Sequence, residues 1–63
     1  MRHNLRKARY DMQMTVEEFS EMVHITPRYY QKIESGERLG GIDLWDKLED
    51  LTGIGQRVLR VNE

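Results

Sequence analysis

Cysteine is absent from these 63 residues, and proline, tryptophan and phenylalanine occur once each. Without thiols there is neither a disulfide framework nor a thiolate metal site. The fold must therefore come from apolar packing alone, near the lower size limit at which that suffices. A single proline and the lack of low-complexity sequence argue against a disordered tail. No repeat or linker divides the chain, and one domain over residues 1–63 is expected. No run approaches the roughly 20 apolar residues of a membrane span, and no signal-like apolar stretch opens the chain. A cytoplasmic location is the expectation. Strand signals are also scarce: there is no alternating β-branched run and no Asn-Gly or Asp-Gly pair.

What is present suits a small helical protein, with 38% hydrophobic and 33% charged residues. The net charge of −1 does not announce a nucleic-acid binder. Its distribution is more informative. Arg2, Arg6, Lys7 and Arg9 open the chain without an acid, and Asp11, Glu17, Glu18 and Glu21 follow without a base. Positive charge returns at Arg28, Lys32 and Arg38, and Asp43, Asp46, Glu49 and Asp50 dominate the next stretch. Segregation of this kind fits a molecule with one basic face.

Helical signals recur along the chain. Asn4 is a candidate cap for a first helix over about residues 5–11, with Leu5, Ala8 and Met12 along one side. In Met14-Thr15-Val16-Glu17-Glu18-Phe19, Thr15 and Glu18 form a capping box, while Met14 and Phe19 have the spacing of a hydrophobic staple. That helix should run to about Val23. The next start follows three residues later. Thr26 is an N-cap, Pro27 occupies the first helical position, and Ile25 and Tyr30 repeat the staple. This helix should end near Ser35, with Gly36 in a left-handed cap. A fourth helix, 42–51, offers Ile42, Trp45, Leu48 and Leu51 or Thr52 to the core, and Gly53 stops it. A short fifth, about 55–60, offers Val58 and Leu59. The chain reads as all-α.

Two short helices joined by three residues cross steeply and meet through a few close contacts. Phe19, Val23, Ile25, Tyr30 and Ile33 supply the apolar contacts, and Ser20 the small residue at the crossing. These are the relative positions of a helix-turn-helix over about residues 15–35, whose second helix lies in the DNA major groove.

Over residues 4–59 the chain resembles the phage-repressor-like helix-turn-helix family, which includes lambda-type repressors, Cro proteins and small regulators of mobile elements. The likeness is carried by MTVEEFSEMVHITPRYYQKIESGER, similar to the family's Thr-Gln-Glu-Glu-Leu-Ala, a turn, then Ile-Ser and a helix ending Ile-Glu-x-Gly. The resemblance implies a compact five-helix lambda-repressor-like domain with Arg9 and Glu34 as a structural ion pair. It also implies base contacts from Thr26, Pro27, Arg28, Tyr29 and Lys32, and phosphate contacts from Thr15, Gln31 and Arg38. Arg can grip guanine O6 and N7, and Pro27 offers an apolar surface to a thymine methyl. Arg2, Arg6 and Lys7 would add electrostatic attraction. Tyr30 takes a core position, with its hydroxyl expected to reach the edge.

Three features depart from the family pattern. Val16 stands where a phosphate-bonding Gln is usual, His24 where the turn usually has Gly, and the total charge is acidic. Fewer phosphate contacts imply a shallower salt dependence.

The function implied is sequence-specific binding of double-stranded DNA by a transcriptional regulator, a repressor of a phage or mobile element acting by promoter occlusion. The setting would be the cytoplasm of a bacterial or phage-infected cell. A weak or DNA-dependent homodimer, meeting around Gln56, Arg57 and Val58, is expected. No small-molecule ligand, cofactor or metal is expected, and His3 and His24 have no partners at a catalytic or ligand spacing. The alternative is a helix-turn-helix protein-interaction module, antitoxin-like or regulator-binding, that uses the acidic face of the fourth helix.

Overall fold

The computed structural model describes all 63 residues, Met1–Glu63. Its five helices are α1 (His3–Asp11), α2 (Val16–Met22), α3 (Pro27–Ser35), α4 (Ile42–Thr52) and α5 (Gln56–Leu59). There is no strand.

The ends of the two central helices are set by local chemistry. The Thr15 hydroxyl accepts from the Glu18 amide at 3.1 Å, and the Glu18 carboxylate accepts from the Thr15 amide at 2.9 Å. This capping box satisfies two donors that the first turn of α2 would otherwise leave open. Thr26 caps α3 by accepting from Tyr29 N at 3.1 Å, with Pro27 at the first helical position. Gly36 ends α3 with φ +92°, and Gly53 ends α4 with φ +72°. His24 takes φ +62° in the turn between α2 and α3, as its place in the motif predicts. Gln13 also adopts a left-handed conformation after α1, which no glycine in the sequence foreshadows.

α2 packs on α3, α1 on both α3 and α5, and α4 on α5. Between them lies one cluster in which Leu5, Phe19, Tyr30, Ile33, Leu48 and Leu59 are fully buried. The Phe19 and Tyr30 rings meet edge to face, 5.6 Å between centroids, which joins the two helices of the motif through its aromatic pair. Ser20 is buried, and its hydroxyl donates to Glu17 O.

Three expectations change. α1 begins at His3 rather than after Asn4, and Arg2 precedes it without a side-chain cap. The Asn4 side chain instead donates to Val58 O at 3.1 Å, tying α1 to α5. In α4 the inward residues are Leu44, Trp45 and Leu48. Ile42, at the first position of the helix, is 74% exposed because its side chain projects before the helix has turned onto the core. Val58 is half exposed, whereas Leu59 is buried.

Candidate nucleic-acid interface

The inward stripe of α3 is Tyr30, Ile33 and Glu34, so helical periodicity turns Arg28, Tyr29, Gln31 and Lys32 outward. Just after the helix the chain doubles back: Arg38 N donates to Lys32 O at 3.2 Å. This return creates a groove of about 520 Å³, lined by Thr26, Arg28, Tyr29 and Lys32 on one side and Arg38, Leu39 and Gly40 on the other. Pro27 and Gln31 are exposed but lie outside the groove wall, and Thr15 sits at the start of α2. Leu39 and Gly40 are not among the contact residues expected from the sequence. The signals for them were the lone tryptophan, whose ring N–H needs an acceptor when buried, and a glycine pair able to turn the chain.

The electrostatics of this face follow from what its cations lack. Of ten Lys and Arg residues, only Lys7 and Arg9 form ion pairs, with Asp11 and Glu34. Arg28, Lys32 and Arg38 line the groove without a carboxylate partner. Three unpaired cations along a concave surface, with a tyrosine and a threonine among them, suit phosphates and the acceptor-rich edges of bases. At the start of α2 the balance is different. Thr15 keeps its hydroxyl proton for an anion, but Glu17 and Glu18 put two acids in the first turn. They oppose the helix dipole's attraction for phosphate.

Beneath the groove, the Arg9 guanidinium binds Glu34 through two hydrogen bonds and donates a third to Met14 O, all at 3.0 Å. Both side chains are nearly buried. The pair fixes the far end of α3 against α1, and the Glu34 carboxylate holds the Arg9 pKa above its ordinary value. Tyr30 does not reach the edge as expected. Its hydroxyl is buried without a hydrogen-bond partner, because the ring is drawn fully inside against Phe19. Burial, with the nearby Glu34 carboxylate, pushes the Tyr30 pKa well above 10.

The N-terminal basic residues behave unlike free attractants. Arg2 is only 3% exposed and is bound to backbone carbonyls, so it is unavailable to a polyanion. Arg6 donates to the Tyr10 hydroxyl at 2.8 and 3.0 Å, which draws the Tyr10 pKa down. Lys7 pairs with Asp11 on the surface. Near the C-terminus, Gln56 donates to Asp46 and Glu49 at 2.8 and 2.9 Å, so its amide N–H groups are engaged within the chain. Arg57 and Val58 are exposed.

Five helices with α2 packed on α3 and a basic groove along α3 define a helix-turn-helix protein of the DNA-binding class. A family model described as helix-turn-helix matches residues 5–59. The chain belongs to that family, the phage-repressor-like group of DNA-binding regulators. No helix is long and apolar enough to cross a membrane. Searches of curated proteins and of solved structures give no match.

Proposed function

We propose that the protein reads a specific site in double-stranded DNA by laying α3 in the major groove, and that it represses a promoter of a phage or mobile element by occupying it. The observation that carries this reading is the groove along α3, where Arg28, Lys32 and Arg38 stand without acidic partners. With its side chains an α-helix is about 10–12 Å across, which fits a major groove about 12 Å wide. Arg28, with Thr26, Pro27, Tyr29 and Lys32, contacts base edges; Arg38, Gln31 and Thr15 contact phosphates. Each phosphate neutralised contributes a slope of about −0.9 to the dependence of log K on log salt, so a few contacts give a shallow one.

Two protomers bind half-sites about one helical turn apart, joined weakly or only on DNA. Arg57 and Val58 belong to the contact; Gln56 supports it by holding α5 to α4. The protein acts in the cytoplasm of a bacterial or phage-infected cell, as a binding protein rather than an enzyme.

The test is selection of bound sites from random duplex DNA with the wild-type protein, Arg28→Ala and Lys32→Ala in parallel. A palindrome with fixed half-site spacing, altered or lost in the variants, supports the reading. Absence of enrichment at low salt, with the protein folded by circular dichroism, sinks it and favours a protein-binding role for the acidic flank of α4.

A further inference from the structure

The second wall of the groove is held by two side chains from distant parts of the chain. The Arg2 guanidinium donates from Nη1 to Ile33 O at 2.6 Å and to Arg38 O at 2.9 Å, and from Nε to Arg60 O at 3.2 Å. It also lies 5.2 Å from the centre of the Trp45 ring. The Trp45 indole N–H donates to Leu39 O at 2.7 Å. Two consecutive carbonyls of the wall, Arg38 O and Leu39 O, are thus fixed by side chains rather than by a helix or strand. Gly40 closes the segment at φ +77° directly against Ile33 and Leu44.

Arg2 has no carboxylate partner, since the chain's two ion pairs use other residues. Burial and the neighbouring Arg60 lower its pKa. For packing alone, an apolar side chain of similar volume would avoid the desolvation of a guanidinium. Only a planar fork of donors can collect carbonyls from α3, the wall and the C-terminal segment at once.

We propose that Arg2 and Trp45 are positioning residues for the groove: they hold residues 38–40 so that Arg38 and Leu39 face α3 as a rigid second wall against the bound polyanion. The polyanion rests on the DNA reading above; the rigidity of the wall does not. Arg2 acts through Arg38 and touches no ligand itself.

Two measurements test this. The first uses free protein and amide hydrogen exchange by NMR. Arg2→Met keeps the stem and removes the donors; Arg2→Lys keeps the charge and removes the fork. Both should speed exchange of the Arg38 amide and the Trp45 indole N–H about tenfold, while the Phe19 and Val23 amides keep their rates. Trp45→Phe, which removes the indole N–H together with part of the buried ring, should do the same at Arg38 and serves if the Arg2 variants fail to fold, with the Phe19 and Val23 amides reporting any general loosening from the lost volume. Unchanged exchange in the wall, or a uniform rise across the core, would overturn the proposal.

The second measurement is the salt dependence of duplex binding in a double-mutant cycle. Arg38→Ala should reduce the slope by about one in the wild-type background and by much less in Arg2→Met, because the contact is already lost there. Full additivity would overturn the link between the clamp and Arg38. Wild-type protein that binds no duplex at low salt would instead sink the DNA reading, and the exchange result would still decide whether the wall is clamped.

Discussion

The Arg9 guanidinium meets the Glu34 carboxylate edge to edge, Nε to Oε2 and Nη2 to Oε1, each at 3.0 Å. This pair spans 25 residues of sequence and joins the end of α1 to the end of α3. Removing either partner leaves a charge stranded in a nearly dry site, with a cost of roughly 3–5 kcal/mol. A domain of this size has a total stability of roughly 3–9 kcal/mol. Arg9→Met or Glu34→Leu alone should therefore leave the protein partly unfolded at room temperature, whereas the double substitution should recover much of the loss. Urea unfolding of the three variants measures this, and a double variant no better than the singles would contradict it.

Tyr30 makes a prediction of opposite sign. Its hydroxyl is buried and unpaired, so Tyr30→Phe removes an unsatisfied group and should be neutral or stabilising by about 1 kcal/mol at pH 7. The variant should also change the alkaline limb. The folded pKa is raised above the ordinary value of 10.0. The stability contributed by the neutral phenol is therefore intact below pH 10 and is lost progressively above it, as the unfolded chain ionises first. Urea midpoints at pH 8 and 11 should fall further in the wild type than in Tyr30→Phe. Equal falls would mean that the hydroxyl is not buried in solution.

Two residues with side chains occupy left-handed backbone, Gln13 at φ +56° and His24 at φ +62°. Both are exposed, so neither loses packing on substitution. Gln13→Gly and His24→Gly should each raise stability by up to about 1 kcal/mol, and the two should add because the sites are independent. Thermal unfolding that shows a loss for either would indicate a side-chain contact at that turn.

Gly40 and Gly53 separate backbone strain from crowding. Both have positive φ, but a Cβ on Gly40 would come within 3.0 Å of the Ile33 and Leu44 methyl groups, while one on Gly53 meets nothing. Gly53→Ala should cost about 1 kcal/mol from conformation alone. Gly40→Ala should cost more, about 2–3 kcal/mol, since the core beneath it must also shift. Identical losses by denaturant titration would mean that the wall lifts freely off the core.

What was legible in the sequence was local. The capping box at Thr15 and Glu18 and the cap at Thr26 each involve residues three apart, so the pattern itself holds both partners. The ends at Gly36 and Gly53, and the strained His24, follow from residue type at a position. The basic groove was legible only along α3, where periodicity sorts Arg28 and Lys32 from Ile33. What escaped was made by residues far apart. Arg2 reaches acceptors 31, 36 and 58 positions away, and nothing near it distinguishes it from the solvated Lys7. Asn4 looked like a cap because its nearest helix start is its own, yet its partner is Val58, 54 residues on. Ile42 has core spacing yet faces solvent, because phase is ambiguous in a helix whose first turn precedes the core.

The closure of α3 at both ends bears on the thermodynamics of association. Thr26 and Pro27 fix its start, Gly36 fixes its finish, and Tyr30, Ile33 and Glu34 anchor its inner stripe. A partner therefore meets a segment that is already folded, and little ordering entropy is charged against the complex. Calorimetry of such docking should return a heat-capacity change that scales with the contact surface alone, without the larger negative increment of coupled folding. On the DNA reading proposed above, differences in affinity among related duplexes should then arise mainly in dissociation, since docking requires no slow rearrangement of α3.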